Sequence, residues 1–339
     1  MKNLSSDFSR FSYDKSALNM MPQRRERSNK GDFGRVLCIC GSNGMSGAAY
    51  LCAKAAYRTG AGLVEIFTHE CNRIILQSSL PEAIVTTYDD SYGQGDLLPS
   101  LERADAVVIG CGLGQTPLSR KILSDLLHAI DTTRTALVID ADAINLLSRN
   151  RSLLKYTKGA VLTPHFLEGS RLLGAPLDEL MSDTAASARR IADLCSAVCV
   201  MKDHESAVSD GSDRIYINKS GNCGMATGGS GDVLAGIIAA LLAQKHLALS
   251  PFDAAAMGAY IHGLAGERAA ASLGEYAVMA RDIANNIRVS QQSYRLFQAS
   301  RLKQPILNYL VPYTISSCVF ISRSAVVIPV TIPTRTYFA

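Results

Sequence analysis

The sequence predicts an α/β fold in which a mostly parallel central sheet lies between two layers of helices. From Arg35 onward, short apolar runs rich in β-branched residues alternate with longer stretches rich in Ala and Leu. This alternation is typical of buried parallel strands covered by helices. With 339 residues, 47% of them hydrophobic, the chain is long enough to bury a large core, which excludes disorder as its main state.

The pattern also gives the extent of the fold. We expect strands at 36–40, 63–68, 106–109, 136–139, 160–162 and 198–201, and helices that include 48–59, 118–130, 184–194 and 233–243. Residues 1–24 are polar and aperiodic, which indicates a helical arm or a frayed terminus. The domain is predicted to span 25–289, because residues 290–339 lack acidic side chains and form an atypical C-terminal tail.

Charge and cysteine usage exclude several classes of function. The formal net charge is +4, but residues 1–282 contain 28 basic and 30 acidic side chains and so carry −2. We therefore expect no nucleic-acid partner. Nine cysteines without a CxxC pair indicate buried, reduced thiols, hence a cytoplasmic protein. No signal peptide is evident, and Arg323, Pro329 and Pro333 interrupt the apolar run at 317–333, so we expect no membrane span.

The strongest chemical signal is the glycine-rich segment 222–232, which runs directly into the apolar helix 233–243. Such a turn collects backbone N–H groups and the positive end of a helix, which makes an anion site. Asp232 would stand at its mouth as a base on an attacking hydroxyl. The alternative is that Asp232 only caps the helix. Four preceding glycines favour the catalytic interpretation.

Other polar or glycine-rich turns follow predicted strands and point to the same edge of the sheet. Segment 41–49 follows one strand and segment 110–114 another; the latter reads GxGxG, so a Rossmann cofactor site is disfavoured. His165 could bind a polar substrate, and Glu168 could hold a magnesium-bound water or simply cap a helix. Asp140 and Asp142, at the end of another strand, likewise have a functional and a structural interpretation. His262 lies on an Ala-rich helix and is interpreted as a core residue.

Together these segments resemble the NAD(P)H-hydrate dehydratase family of the ribokinase-like superfamily, whose fold is a three-layer αβα sandwich. The resemblance covers about Arg25 to Ile287, and its most specific block is 224–232. The matching segments, in family order, are 30–34, 41–48, 58–64, 81–83, 110–114, 140–145, 163–165, 224–232 and 258–262.

The resemblance implies a repair reaction in which ADP or ATP, with Mg²⁺, drives the dehydration of NADHX or NADPHX. A nucleotide phosphorylates the ring hydroxyl, and phosphate then leaves to restore NAD(P)H. Asp232 would be the base, and four residues would line the hydrated-cofactor site with it: Gly47, Ala48, Gly112 and His165. The nucleotide would contact Gly228, Gly229, Gly231 and the strand end formed by Lys202, Asp203, His204, Glu205 and Ser206. The resemblance also implies a homo-oligomer and a functional link to an NAD(P)HX epimerase, whose domain this sequence is expected to lack.

The sequence departs from the family pattern near the phosphates. Asp203 replaces a glycine and Ser206 a threonine, Phe166 and Leu167 replace Pro-Gly, and Cys223 replaces a proline. A carboxylate at Asp203 is expected to weaken nucleotide binding by repulsion. Two alternatives therefore stand beside the dehydratase: another ribokinase-like kinase acting on a vitamin precursor, or a catalytically silent nucleotide-binding member.

Overall fold

A computed structural model describes residues 9–289 apart from 23, 25 and 133. Ten strands form one sheet in the order β1-β10-β9-β8-β7-β6-β5-β2-β3-β4. Their bounds are β1 Ser9–Phe11, β2 Arg35–Ile39, β3 Leu63–His69, β4 Ile84–Tyr88, β5 Ala106–Ile109, β6 Ala136–Ile139, β7 Val161–Leu162, β8 Val198–Met201, β9 Ala207–Ser209 and β10 Arg214–Ile217. Strands β2 to β8 are parallel to one another, whereas β9 runs antiparallel to both β8 and β10. The predicted sheet is confirmed.

The helices form two layers, one on each face of the sheet. On one face the strands pack with α1, α2, α9, α10 and α11, and on the other with α3 to α8. Their bounds are α1 Ser46–Thr59, α2 Arg73–Ser79, α3 Gln94–Glu102, α4 Pro117–Ala129, α5 Ala141–Arg149, α6 Phe166–Leu173, α7 Leu177–Ser182, α8 Thr184–Cys195, α9 Ser230–Ala243, α10 Pro251–Leu273 and α11 Ala280–Asn285. Short 3-10 helices cover Lys15–Met20, Lys30–Phe33, Glu70–Asn72, Arg151–Tyr156, Cys223–Met225, Lys245–Leu247 and Glu275–Ala277.

Strand β2 shows why both faces are covered. Val36, Cys38 and Cys40 belong to the core on one side, while Leu37 and Ile39 belong to the core on the other. Because side chains alternate along a strand, an uninterrupted apolar run must be buried on both faces. The six predicted strands and four predicted helices are all present, with ends shifted by at most three residues.

The N-terminal segment differs from its prediction. Instead of a helical arm or a frayed end, Ser9–Phe11 adds a parallel strand beside β10, and Lys15–Met20 forms a 3-10 helix. Phe11 explains the docking, since its ring lies 5.6 Å from that of Tyr216 and 6.2 Å from that of Phe252. The tail at 290–339, with its predicted domain boundary, lies outside the described residues.

Two further expectations concern cysteines and membranes. Six of the cysteines that the structure describes are buried, but Cys71 and Cys223 are exposed, so the expectation of uniformly buried thiols was wrong for these two. All eight described cysteines are free thiols. Across the described part of the chain, no helix has both the length and the apolar character needed to cross a membrane.

Candidate active site

The candidate site lies at the carboxyl edge of the parallel strands, where the sequence placed it. The turns after β2 and β5 touch each other, since the Gly41 amide donates a hydrogen bond to the Cys111 carbonyl at 2.9 Å. Asp140 follows β6 and Lys202 follows β8. The amino end of α9 reaches the same place: a Cβ on Gly231 would lie 3.4 Å from Lys202 Nζ and 3.9 Å from Asp140 Oδ2.

Helix α9 begins at Ser230, three residues before its predicted start, because Gly229 is its N-cap with φ +90°. Asp232 is therefore the third residue of the helix, and the alternative that it is the N-cap is wrong. Among the described residues, no side chain caps this helix. The Ser230 amide donates to the Thr227 carbonyl and the Val233 amide to the Gly229 carbonyl, so the amides of Gly231 and Asp232 are the ones that stay available. A helix start with free amides favours an anion.

Space in front of this helix is open. A Cβ built on Gly228 meets no atom within 4 Å, and the same is true of Gly47 at the start of α1. Behind the loop the packing is tight, because a Cβ on Gly229 would lie 2.4 Å from Leu51 Cδ1. The loop is therefore held against α1 on one side and leaves room for a phosphoryl group on the other.

Two buried carboxylates flank one ammonium group. Lys202 Nζ lies 2.9 Å from Asp140 Oδ1 and 3.8 Å from Glu168 Oε2. Thr163 donates a hydrogen bond to the same Asp140 oxygen at 2.6 Å. Burial opposes the charge of Lys202, but the two carboxylates outweigh it and raise the lysine pKa. The ammonium is therefore committed to a buried ion pair.

Asp232 is the carboxylate that this lysine does not pair directly. Burial, and then the negative charge of Asp140, raise the pKa of Asp232 to about 7. The Cys111 thiol lies between the two acids, 3.6 Å from Asp140 Oδ2, and opposes this rise. A carboxylate with a pKa near neutrality is suited to general-base catalysis, because it accepts a proton readily yet is still ionised in part.

His165 and Glu168 form a capping box at the start of α6. The His165 amide donates to Glu168 Oε2 at 3.0 Å, and His165 Nε2 lies 3.2 Å from Glu168 Oε1. Burial opposes ionisation of Glu168, but the His165 hydrogen bond and the charge of Lys202 outweigh it and lower the carboxyl pKa. Both carboxylate oxygens thus have protein partners, as the capping interpretation requires.

The predicted nucleotide-binding segment is a tight turn after β8. The Asp203 carboxylate accepts from Thr184 Oγ1 at 3.1 Å and from the His204 amide at 2.7 Å, and the hydroxyl of Ser206 donates to the Asp203 carbonyl. These hydrogen bonds, with the His204 ring foremost, overcome burial and lower the pKa of Asp203. The carboxylate is engaged in its own turn, and His204 and Glu205 are exposed.

Three of the residues expected to line the substrate site, Gly47, Ala48 and Gly112, lie around the turns after β2 and β5. His165 instead caps α6, after β7. A Cβ on Gly112 would lie 2.8 Å from the Cβ of Ala48, so these two residues pack closely. Asp142 accepts hydrogen bonds from the Gly114 amide at 2.8 Å and the Gln115 side chain at 2.9 Å. Asp140 and Asp142 therefore have different roles: one faces Lys202, the other fixes a glycine turn.

Sequence reasoning missed three contacts in this region. Lys202 was assigned to the nucleotide alone, but its ammonium pairs with Asp140 and Glu168. The Cys111 thiol was not considered, although it touches Asp140. His262, interpreted as a core residue, contacts Ser230 Oγ at 3.3 Å, and burial lowers its pKa to about 4. Only the strand-end positions of Asp140 and Lys202 could have signalled their pairing.

Comparison with known proteins places the chain in a family. A family profile described as NAD(P)H-hydrate dehydratase matches residues 36–288. An ADP-dependent (S)-NAD(P)H-hydrate dehydratase of Neisseria meningitidis is 38% identical over 276 residues, covering 78% of this chain and 89% of that protein. The chain spans about half the length of the bifunctional NAD(P)H-hydrate repair enzymes it also matches; the one from Escherichia coli is 40% identical over 274 residues, covering 81% of this chain and 50% of that protein.

Solved structures of similar fold support the same family. A ribokinase-like superfamily protein of Enterococcus faecalis superposes with a TM-score of 0.74 at 31% identity, covering 87% of this chain and 99% of that one. An ADP/ATP-dependent NAD(P)H-hydrate dehydratase of Bacillus subtilis, co-crystallised with ATP/Mg²⁺, gives a TM-score of 0.68 at 27% identity over 83% and 96% of the two chains. From its sheet, its glycine-rich loop before α9 and these similarities, we conclude that this chain belongs to the NAD(P)H-hydrate dehydratase family and has a ribokinase-like fold.

Proposed function

We propose that this protein dehydrates (6S)-NADHX and NADPHX to NADH and NADPH at the expense of ADP or ATP. The observation that carries this proposal is the position of Asp232 in the first turn of α9, beside amides that no described side chain caps and in front of open space at Gly228. This arrangement places a base next to an anion site, as transfer of a phosphoryl group to a hydroxyl requires.

The first step joins the hydroxyl oxygen of the hydrated ring to the terminal phosphorus of the nucleotide. The bond from that phosphorus to its bridging oxygen breaks, and the hydroxyl proton passes to Asp232. The amides of Gly228 and Gly229 in the loop, with that of Gly231 in the first turn of α9, hold the charge of the transferring group. Ala48, Gly47 and Gly112 line the ring side of the cleft, with His165 at its rim.

The second step expels phosphate, which is a much better leaving group than hydroxide. The lone pair of the ring nitrogen assists breakage of the carbon–oxygen bond, and the neighbouring ring carbon then loses a proton to restore the double bond. No redox change occurs, so the only cost is one phosphoanhydride bond. The turn at 202–206 would contact the nucleotide from the β8 side of the cleft.

A magnesium ion would accompany the nucleotide phosphates. The site fits a hard cation, because Glu168 presents a buried carboxylate with a lowered pKa that is ionised at neutral pH. Since both its oxygens already have partners, Glu168 would hold one of the ion's water molecules rather than the ion itself. Bound Mg²⁺ supplies charge neutralisation on the phosphates.

We extend the proposal to the cellular setting. We place the protein in the cytoplasm as a homo-oligomer, working with an NAD(P)HX epimerase that would supply the S epimer. The bifunctional NAD(P)H-hydrate repair enzymes among the relatives support that link.

A turnover assay tests the proposal directly. The purified chain is incubated with NADHX or NADPHX and with ADP or ATP, and the absorbance of the reduced nicotinamide is followed together with phosphate release. We expect NAD(P)H and phosphate in equal amounts. A phosphorylated product that does not decay would indicate a simple kinase, and nucleotide binding without turnover would indicate a silent member; either result would overturn the proposal.

A further inference from the structure

We propose that Cys40, Cys52 and Cys111 form a binding site for a thiophilic divalent cation such as Zn²⁺ or Cd²⁺, directly behind the candidate active site. The three Sγ atoms lie within 4.8 Å of one another, and all three residues are fully buried. Nothing in the proposed dehydration uses them. The inference rests on this geometry and does not require the dehydratase activity.

The three thiols come together from separate parts of the chain. Cys40 ends the β2 run, Cys52 lies on α1, and Cys111 lies in the turn after β5. Helix α9 closes over α1 at this level, because a Cβ on Gly236 would be 2.2 Å from the Cys52 carbonyl oxygen. On the other side α1 packs directly on β2, since Cys52 Sγ lies 3.9 Å from Cys38 Sγ, and the three sulfurs therefore meet at one point.

Their spacing suits a metal ion. In a tetrahedral zinc site with Zn–S bonds of about 2.3 Å, two sulfurs lie about 3.8 Å apart. The cluster needs to contract by less than about 1 Å to reach that spacing. Cys38, whose Sγ lies 3.9 Å from that of Cys52, adds a fourth sulfur at the edge of the cluster. Soft thiolate ligands select such cations over Mg²⁺.

Binding has a defined proton balance. Burial raises the pKa of Cys40, and hydrogen bonds from neighbouring thiols raise those of Cys52 and Cys111, so the free cluster is protonated. Formation of three metal–sulfur bonds breaks three S–H bonds and releases three protons to solvent. Neither an oxidant nor a reductant takes part.

Cys111 connects this cluster to the active site. Its sulfur belongs to the three-thiol group and also to a second group with Asp140 and Asp232, whose ligand atoms again lie within 4.8 Å of one another. A cation held by Cys111 would draw the thiol away from both carboxylates, and the three thiolates would give the divalent centre a net charge of −1 behind Asp232. If the proposed function holds, occupancy would raise the pKa of Asp232 further, keep its carboxyl protonated at neutral pH and so inhibit turnover.

The test uses the full chain, kept reduced with a phosphine that binds metals weakly, and titrates it with Cd²⁺. We expect one tight equivalent with the ultraviolet charge-transfer band of cadmium thiolate and concurrent proton release, measured by calorimetry in buffers of different ionisation enthalpy. Cys52→Ser should abolish the band. Because that variant could fold poorly, Cys40→Ser is measured in parallel, and circular dichroism confirms the fold of each.

The matched control is Cys199→Ser. Cys199 is equally buried but packs on the opposite face of the sheet, so its loss should leave the band unchanged. Absence of the band in the unmodified chain would overturn the proposal. So would a band that survives Cys52→Ser but disappears in Cys223→Ser, since Cys223 is exposed and lies outside the cluster. The absorption readout remains valid even if the chain has no dehydratase activity.

Discussion

Helices α6 and α9 each carry an acid at their third residue, yet the two acids have opposite proton affinities. Glu168 on α6 accepts from the His165 amide and lies 3.8 Å from Lys202 Nζ, and its pKa is lowered. Asp232 on α9 has no capping partner and faces Asp140, and its pKa is raised to about 7. Helix position alone therefore does not decide whether an acid is structural or chemical.

The difference has a physical cause. A helix start favours a negative charge in either case, by an amount of about 0.3–1 kcal/mol. At Glu168 this effect adds to hydrogen bonds and an opposite charge, whereas at Asp232 desolvation and the charge of Asp140 exceed it. The amino end of α9 thus keeps both a base and unused amides for a ligand, while α6 uses its own groups internally.

The largest expected effect is on catalysis. Asp232→Asn should reduce kcat by about 10³-fold, because removal of a general base costs about 10²–10⁴. Affinity for ADP should change little, since the α9 amides remain. Steady-state kinetics and calorimetric ADP titration measure both quantities. Glu168→Gln serves as the matched variant at the equivalent helix position; if it lost kcat as severely as Asp232→Asn, the contrast between the two acids would fail.

Activity should also depend on pH through Asp232. Below its pKa of about 7 the carboxyl is protonated and cannot accept the hydroxyl proton. We expect kcat/KM to fall about tenfold per pH unit below that value. A pH profile that stays flat from pH 7 to pH 5 would remove Asp232 from the role of base.

Removal of the Lys202 ammonium, which Asp140 and Glu168 share, should destabilise the folded protein. Lys202→Met leaves Asp140 and Glu168 close together without an ammonium, and we expect a loss of about 3 kcal/mol in the free energy of unfolding. Lys245→Met is the control, because the Lys245–Asp105 pair is mostly exposed and is expected to contribute less than about 1 kcal/mol. Urea denaturation compares the two. Equal losses in the free energy of unfolding would show that the buried ion pairs of Lys202 stabilise the fold no more than the exposed pair does.

Two glycine substitutions separate the structural role of the loop before α9 from its role in nucleotide binding. Gly229→Ala forces φ +90° on alanine and drives its Cβ into Leu51, so we expect about 2 kcal/mol of destabilisation. Gly228→Ala meets open space and should leave the unfolding midpoint unchanged while weakening nucleotide binding. Gly95→Ala, in α3 and also without close neighbours, controls for the alanine itself. A stable Gly229→Ala variant would contradict the described packing.

The smallest effect is the pH dependence of stability. Asp232 binds its proton more tightly when folded, so its contribution to stability is full below the unfolded pKa near 4 and is lost as pH rises toward 7. Glu168 has the opposite sign, since its stabilisation is present above its unfolded pKa and is lost as pH falls through its lowered folded value. Relative to Asp232→Asn, the unmodified chain should lose about 2–4 °C in Tm between pH 5 and pH 7. A constant difference in Tm would contradict this linkage.

Much of the fold could be predicted because the buried strands are short and largely apolar on both faces. β5, β6 and β8 were predicted to the residue. β9 and β10 were not predicted, although the Asp210-Gly211 pair between them is a hairpin signal. β4 was missed as well, although its run Ile84–Tyr88 is rich in β-branched residues. β1 could not be predicted, since its pairing depends on aromatic contacts with residues more than 200 positions away.

The sequence by itself determined the layer order, the edge of the sheet at which the candidate site lies and the place of Asp232 at the start of a buried helix, because these follow from periodicity and local turn chemistry. Only the tertiary structure decided how charge is shared there: that Lys202 pairs with Asp140 and Glu168, that Asp232 keeps its proton to about pH 7, and that three thiols meet behind it. These properties depend on distances between residues from different strands and helices. Such distances are fixed by packing and not by any local pattern.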